Sequence, residues 1–273
     1  MRIGVLTGGG DCPGLNPAIR AIVLRAMDYK DEVFGLLDGW KGLIKGKGRA
    51  LTLSDVEEII GHGGTILGTS RTNPYKKPED LEAAKKNFKS LGLDALIAIG
   101  GEDTLGVASK LSKEGLPCVG VPKTMDNDLS ETDFTFGFDT SVTAAIEALE
   151  RLRDTARSHH RIMVFEVMGR HAGWVAMYTA LGGGADGVLV PEEKTEIKQL
   201  VEQLKKAYDR KGYAIVVVSE GFEPEEWKTE GRKEELDAFG HMILKKRGIS
   251  EWLAERIEKD LKVETRTAVI GHM

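Results

Sequence analysis

Short apolar runs alternate with amphipathic stretches along nearly the whole chain, and this alternation limits the possible folds more than any other feature. The clearest runs are IGVL at 3–6, ALIAIG at 95–100, PCVGV at 117–121, IMVFEV at 162–167, DGVLV at 186–190 and AIVVV at 214–218. Nearly continuous apolar runs of this length are typical of parallel strands that are buried on both faces. The sequence therefore predicts an α/β fold with mainly parallel sheets covered by helices.

The stretches between these runs carry helix start and stop signals. Asn16 before Pro17 predicts an N-cap and a first helical residue, and Ser54 with Glu57 predicts a capping box. Further helices are predicted over 79–91, 104–114, 140–158, 172–181, 195–210, 234–246 and 250–260. The helical periodicity breaks over residues 130–140, which favours two lobes that meet there.

Charge and composition exclude several classes of protein. A net charge of −5 over 273 residues argues against broad binding to nucleic acid or to an anionic membrane, although a local basic pocket remains possible. Cys12 and Cys118 lack the spacing of a zinc site or a disulfide framework. Without a run of eighteen apolar residues or a secretion signal, the chain is expected to be cytoplasmic and to have no membrane segment.

Glycine-rich loops follow two of the predicted strands, at the sheet edge where open parallel sheets bind ligands. The first loop, LTGGGDCPGLNP over 6–17, would let backbone N–H groups approach a phosphate, although a tight structural turn is the alternative. It fits neither the Walker pattern nor GxGxxG. The second loop, AIGGEDTLG over 98–106, adds Glu102 and Asp103, which could hold a divalent cation or could simply favour a helix N-terminus.

A third loop, VGVPKTMDNDL over 119–129, combines Lys123 with Asp126 and Asp128. Two nearby carboxylates raise each other's proton affinity, which would suit one of them to general-base catalysis on a hydroxyl group. Ordinary turn chemistry is the alternative for such a cluster of Asp and Asn.

Five segments together resemble the phosphofructokinases of the bacterial type, in order and over essentially the whole chain. They are GVLTGGGDCPGLNPAIR, IGGEDT, PKTMDND, RIMVFEVMGRHAGW and ETRTAVIGH. Such enzymes transfer a phosphoryl group from ATP or pyrophosphate to the 1-hydroxyl of fructose 6-phosphate, with Mg2+. The resemblance implies two similar three-layer α/β/α lobes, a donor-binding lobe over 1–135 and a fructose 6-phosphate-binding lobe over 136–273.

The resemblance also implies a role for each matching residue. Asp126 matches the base that accepts the sugar hydroxyl proton, Thr124 a contact to sugar and phosphoryl group, and Arg170 a residue that stabilises the transferring charge. The remaining sugar-binding positions are Asp128, Met168, Gly169, Glu220, Arg161, Arg266 and His272. The donor positions are Gly9, Gly10, Arg71, Asp103, Thr104 and Lys123, and the Mg2+ position is Glu102. In this family the two sugar-phosphate arginines, Arg161 and Arg266 here, reach in from a neighbouring subunit, which implies a homodimer or homotetramer.

Two residues favour pyrophosphate as the donor. ATP-using relatives usually have glycine where this chain has Asp103 and Lys123, and these two side chains would obstruct the space needed by the α-phosphate and nucleoside. The sequence therefore predicts a pyrophosphate-dependent 6-phosphofructokinase of glycolysis or gluconeogenesis. An ATP-dependent enzyme is one alternative, and a non-catalytic subunit or fragment that binds sugar phosphate is another.

The chain also departs from the family pattern. Glu102 stands where many relatives have aspartate, and Leu24 replaces an arginine of the effector site in allosteric relatives. The chain stops at Met273, directly after AVIGH, whereas relatives continue. We therefore expect the second lobe to be truncated at its C-terminal end.

Overall fold

The computed structural model describes residues 1–228 and 248–271. Within these ranges the chain forms two compact units. The first contains residues 1–124 and 129–137, and the second contains 125–128, 138–228 and 248–271. The assignment of donor and acceptor binding to separate lobes stays a prediction.

The first unit contains one sheet of six strands. They are Arg2–Thr7 (β1), Glu32–Leu36 (β2), Gly48–Leu51 (β3), Ala95–Gly100 (β4), Cys118–Thr124 (β5) and Phe136–Gly137 (β6). Their order is β3-β2-β1-β4-β5-β6, and every neighbouring pair is parallel except β2 with β3. The helices of this unit are Leu15–Asp28 (α1), Trp40–Lys45 (α2), Leu53–Val56 (α3), Pro78–Ser90 (α4) and Glu102–Lys113 (α5).

Helices cover both faces of this sheet. Leu6 and Leu96 pack with apolar residues of α2, α4 and α5 on one face. Val5 and Ile99 pack with residues of α1 and α3 on the other. Because neighbouring residues of a strand point to opposite faces, each buried strand contributes to both cores, which explains the continuous apolar runs.

The second unit repeats this three-layer arrangement around a sheet of four strands. They are Ile162–Val167 (β7), Gly187–Leu189 (β8), Ala214–Ser219 (β9) and Thr265–Val269 (β10). The order is β10-β7-β9-β8 and all pairs are parallel. The described helices are Phe138–His159 (α6), Trp174–Gly183 (α7), Ile197–Lys211 (α8), Glu225–Lys228 (α9) and Ile249–Leu261 (α10).

Strand β7 shows how its sequence produces both cores. Ile162 and Val164 pack against α8 and α10, whereas Met163, Phe165 and Val167 pack against α6 and α7. The prediction of an α/β fold with mainly parallel sheets and helices on both faces is confirmed.

Several local predictions were wrong. Helix α1 begins at Leu15 with Gly14 as its N-cap, so Asn16 is not the cap. The capping box of α3 uses Thr52 and Asp55 rather than Ser54 and Glu57. Strands β2, β3, β6 and β10 were not predicted, because their apolar runs are short or interrupted by Gly, Arg or Thr. The helix predicted over 234–246 lies outside the described residues.

Strand β5 differs from the other predicted strands in burial. Val119 is 60% exposed, although the strand pairs with β4 over five positions. Its apolar sequence therefore predicted the strand correctly, but not its partial exposure.

No helix in the described ranges is long and apolar enough to cross a membrane.

Candidate active site

The glycine-rich loop between β1 and α1 depends on backbone conformations that favour glycine. Gly9 has φ +83° and Gly14 has φ +97°, both in the left-handed region. A Cβ at Gly14 would also lie 2.8 Å from the ring of Phe136. The loop therefore runs close to β6 before the chain turns into α1.

Thr104 occupies the space between this loop and the glycines that follow β4. Its side chain is almost fully buried. A Cβ at Gly8 would lie 2.5 Å from Thr104 Oγ1, and a Cβ at Gly100 would lie 2.5 Å from Thr104 Cβ. Glycine at these two positions lets both strand-end loops pack around one threonine, so the structure brings Thr104 next to the predicted donor loop.

Lys123 places a buried charge against this loop. Its side chain is only 4% exposed. Its Nζ donates a hydrogen bond of 2.6 Å to the carbonyl oxygen of Gly10, and it lies 3.8 Å from where a Cβ of Gly9 would be. A buried ammonium requires such polar partners. The structure therefore places a cation directly against the glycine loop.

The other predicted residues of the first unit lie on elements around this loop. Glu102 and Asp103 form the first turn of α5, with Glu102 exposed and Asp103 half-buried. Thr124 ends β5, and its carbonyl oxygen accepts a hydrogen bond of 2.6 Å from Thr135 Oγ1. Arg71 is exposed, two residues beyond a threonine that contacts the glycine loop.

That threonine is Thr69. Neither Thr69 nor Asn16 was predicted from the sequence to support the glycine loop. Thr69 Oγ1 donates to the carbonyl oxygen of Gly9 at 2.7 Å. Asn16 is buried, donates to the carbonyl oxygens of His62 and Gly63, both at 3.1 Å, and accepts from the N–H of Ile66 at 2.8 Å. These bonds fix the segment 62–69 beside the glycine loop. The sequence signal was present in Asn16, but its position before Pro17 favoured the cap interpretation.

In the second unit, the loops that follow β7 and β9 are hydrogen-bonded to each other. Gly169 has φ +136°, and its carbonyl oxygen accepts bonds from Ser219 Oγ at 2.5 Å and from the N–H of Gly221 at 3.0 Å. A Cβ at Gly221 would lie 1.8 Å from the carbonyl oxygen of Arg170. Gly221 was not predicted as a site residue, yet it allows this close approach. The two loops therefore hold Arg170 in a defined position at the carboxyl edge of the sheet.

Asp126 belongs to the same unit and has the most informative electrostatics of the candidate residues. One of its carboxylate oxygens is fully buried. Burial, followed by the charges of Asp128 and Glu220, raises the pKa of Asp126 to about 7. The backbone N–H and the positive charge of Arg170 act in the opposite direction. The result is a carboxylate that can exchange a proton near neutral pH.

The structure thus brings together several of the residues that were predicted to bind the sugar. Glu220 is buried and follows β9, while Met168 and Gly169 follow β7. Asp128 is exposed but close enough to influence Asp126. A half-buried carboxyl group with a raised pKa, an arginine and a second carboxylate in one place are suited to removing a proton from a hydroxyl group.

Arg161 and Arg266 lie elsewhere in the same unit. Arg161 directly precedes β7 and Arg266 is near the start of β10, so both are at the amino edge of the sheet. The six residues of β7, at about 3.3 Å each, put roughly 20 Å between this edge and the loop that carries Arg170. His272, the third residue predicted to bind the sugar phosphate, lies outside the described residues.

No group of three or more His, Cys, Asp or Glu side chains in the described part of the chain is arranged to hold a metal ion. The predicted Mg2+ ligand, Glu102, lies at the start of α5, next to Asp103 in the same helical turn.

These two sets of loops can be compared with known proteins. The phosphofructokinase family model matches residues 2–273. The chain belongs to the phosphofructokinase family.

Relatives of two donor types are similar to this phosphofructokinase family member. A pyrophosphate–fructose 6-phosphate 1-phosphotransferase of Dictyoglomus thermophilum is 57% identical, over 100% of the chain and 79% of the relative. ATP-dependent 6-phosphofructokinase 2 of Streptomyces coelicolor is 50% identical, over 100% of the chain and 80% of the relative. The family is therefore established, while the identity of the donor is not decided by similarity alone.

The fold of the family is also seen in solved structures. The phosphofructokinase of Pichia pastoris in the T-state superposes with a TM-score of 0.85 at 28% identity, over 98% of this chain and 29% of that chain. The predicted phosphofructokinase fold is confirmed.

Proposed function

We propose that this phosphofructokinase transfers a phosphoryl group from pyrophosphate to the 1-hydroxyl of fructose 6-phosphate. The first unit would bind the donor and the second the acceptor. The observation that carries the donor assignment is the buried ammonium of Lys123 against the glycine loop, bonded to the carbonyl oxygen of Gly10 at 2.6 Å.

Lys123 favours a compact donor for two reasons. Its side chain fills space next to Gly9, where glycine in place of Lys123 would leave room for the rest of a nucleotide. Its charge suits an oxygen of pyrophosphate, because lysine binds phosphate as a point charge. Asp103, half-buried in the first turn of α5, would narrow the same pocket. The predicted pairing of Asp103 with Lys123 is part of this proposal.

The donor would also contact the groups that surround the loop. Gly9 and Gly10 would offer backbone N–H groups to phosphate oxygens, as glycine-rich loops do before a helix. Thr104 and Arg71 would add a hydroxyl and a guanidinium from the neighbouring segments. The similarity to a curated pyrophosphate-dependent relative at 57% identity supports the same donor.

Asp126 would act as the general base. Its pKa of about 7 lets it take the proton of the 1-hydroxyl while the hydroxyl oxygen attacks the nearer phosphorus of pyrophosphate. The bond between that phosphorus and the bridging oxygen breaks, and the electron pair leaves with phosphate. Arg170 would stabilise the charge on the transferring group, and Thr124 would contact both the sugar and this group. Met168, Gly169, Asp128 and Glu220 would shape the sugar pocket.

Glu102 would be the protein ligand of Mg2+. Mg2+ is commonly bound by one or two carboxylates together with substrate phosphates and water, so a single exposed carboxylate fits this ion. When bound, Mg2+ would neutralise charge on the donor.

Arg161 and Arg266 would bind the 6-phosphate in the site of a second copy, making the enzyme a homo-oligomer. Their place at the amino edge of the sheet, roughly 20 Å from the loop of Arg170 by the rise of β7, supports this assignment. Arginine suits a phosphomonoester because its planar fork can make two parallel hydrogen bonds.

The test of donor specificity is to assay the protein with fructose 6-phosphate and Mg2+, with pyrophosphate and ATP in separate reactions. We expect turnover with pyrophosphate to exceed turnover with ATP. In the double variant Asp103→Gly/Lys123→Gly, kcat/KM for pyrophosphate should fall at least 100-fold, because the fixed cation and the narrow pocket are both lost.

Lys113→Gly is the matched control, since Lys113 is an exposed lysine in the last turn of α5. Its donor kinetics should match those of the wild type. Faster wild-type turnover with ATP, or an unchanged pyrophosphate rate in the double variant, would contradict the proposal.

A further inference from the structure

A cluster of three charged side chains lies at the amino edge of the second sheet. Arg161 Nε is 2.8 Å from Glu264 Oε2, and Arg266 Nη2 is 2.6 Å from Glu264 Oε1. One carboxylate therefore bridges two guanidinium groups, one on each of its oxygens.

The main chain at Glu264 is held by the sheet. Glu264 directly precedes β10, as Arg161 directly precedes β7, and the two strands are parallel neighbours with Thr265 paired to Ile162. The N–H of Ile162 donates to the carbonyl oxygen of Glu264 at 3.1 Å. The sheet thus holds the main chain of Glu264, and the two ion pairs of its carboxylate limit the rotation of the long arginine side chains.

The electrostatics are consistent with a stable bridge. The hydrogen bond and charge of Arg161, together with Arg266, hold the pKa of Glu264 below its ordinary value. Glu264 therefore stays ionised throughout the neutral range.

Both arginines keep donors for another anion. A guanidinium has five N–H groups, and within the described ranges Glu264 is the only carboxylate paired with the side chains of Arg161 and Arg266. Two guanidinium groups held at a fixed spacing, with donors to spare, are suited to a phosphomonoester dianion.

We propose that Glu264 is a positioning residue for the phosphate group of the sugar acceptor, acting through Arg161 and Arg266. This inference rests on the proposed function, in which these two arginines bind the 6-phosphate. The carboxylate prevents the two like charges from separating and reduces the rotamer freedom that phosphate binding would otherwise remove.

The opposing effect is repulsion between the carboxylate and the phosphate. With Glu264 the cluster carries a net charge of +1, since two arginines and one glutamate contribute +2 and −1. If this repulsion dominated, removal of the carboxylate would strengthen phosphate binding. The two effects therefore predict opposite changes in KM, and a single substitution distinguishes them.

The experiment is steady-state kinetics on Glu264→Gln, which keeps the shape of the side chain and removes its charge. We expect KM for fructose 6-phosphate to rise about fivefold, while kcat and KM for the phosphoryl donor stay within about twofold of the wild type. Glu264→Asp, which keeps the charge, should give an intermediate KM. A thermal unfolding midpoint equal to that of the wild type would show that the fold is retained.

Glu255→Gln is the matched control, because Glu255 is exposed and lines the same surface groove as Glu264 and Arg266. Its KM should not change. An unchanged or lower KM in Glu264→Gln would overturn the positioning role.

The wild-type measurements separate this failure from that of the proposed function. If the wild type uses ATP rather than pyrophosphate, the donor assignment fails, and the same KM comparison is made with ATP. If the wild type neither binds nor phosphorylates fructose 6-phosphate, the proposed function fails and the role of Glu264 falls with it.

Discussion

At the scale of single residues, environment gives Asp126 and Lys123 properties that their side chains lack in water. Asp126 is partly removed from solvent and lies near two other acids, so its pKa rises to about 7. Lys123 is buried against a backbone carbonyl. The sequence marks both residues as candidates for the site, because each follows the same predicted strand. It could not predict their burial, which depends on residues far away in the chain.

The acid limb of the pH–rate profile tests the electrostatics of Asp126. Because the base must be ionised, kcat/KM should fall below about pH 7, approaching tenfold per pH unit. The negative charge of Asp128 favours protonated Asp126, so Asp128→Asn should lower the pKa of Asp126 and move the acid limb to lower pH.

The substrates ionise in the same way in assays of wild type and of Asp128→Asn. A difference in the pH of the acid limb between the two proteins therefore arises from the protein. Asp139→Asn, which removes an exposed acid in the first turn of α6, should leave the limb in place. An acid limb at the same pH in wild type and Asp128→Asn would contradict the assignment of the limb to an Asp126 whose pKa is raised by Asp128.

At the scale of elements, the glycine loop is held by contacts that no local pattern contains. The short strand β6 packs against it: a Cβ at Gly137 would lie 1.9 Å from Cys12 Sγ and 3.1 Å from the carbonyl oxygen of Pro13. The apolar run of β1 and the glycines of the loop predicted a strand followed by a tight turn. The two-residue strand β6 could not be predicted, because a pair such as Phe136 and Gly137 carries no periodic signal.

Gly137→Ala should therefore be strongly destabilising. Gly137 has φ +101°, and its new methyl group would overlap Cys12, so we expect a loss of about 4 kcal/mol in the free energy of unfolding. The measurement is the midpoint of urea denaturation.

Gly115→Ala is the control that separates the effect of backbone strain from the effect of steric overlap with the new methyl group. Gly115 has φ +92°, but among the described residues no atom lies within 4 Å of its Cβ position. Gly115→Ala should lower the free energy of unfolding by about 1 kcal/mol, because only backbone strain is introduced. Equal losses in the two variants would mean that the contact with Cys12 does not hold the loop.

At the scale of the whole molecule, the sequence allowed more to be predicted about the fold than about the assembly. The alternation of apolar runs predicted parallel sheets with helices on both faces, since burial on both faces requires continuous apolar strands. The family was predicted from ordered motifs and is established by the match over residues 2–273. Arg161 and Arg266 could complete a site in their own chain or in a neighbouring copy, and this depends on the assembly. Their proposed role therefore needs a test with two kinds of chain.

A mixing experiment provides that test. Asp126→Asn chains keep the arginines but lack the base, whereas Arg161→Ala/Arg266→Ala chains keep the base but lack the phosphate-binding pair. If sites are shared between copies, equal amounts dissociated and reassociated together should regain about a quarter of wild-type specific activity, the statistical yield for a symmetric dimer.

Each variant treated alone in the same way is the control and should stay nearly inactive. Activity of the mixture that merely equals the mean of the two separate variants would mean that each chain completes its own site.

The location of Arg161 and Arg266 at the opposite end of β7 from Arg170 has a consequence for how such an enzyme responds to its own abundance. If a second copy completes the site, as proposed, the site exists only while the copies are associated, so turnover per chain would decline on dilution by mass action. Under the same proposal fructose 6-phosphate would contact both copies, so its binding would favour association of the chains and partly restore the lost turnover.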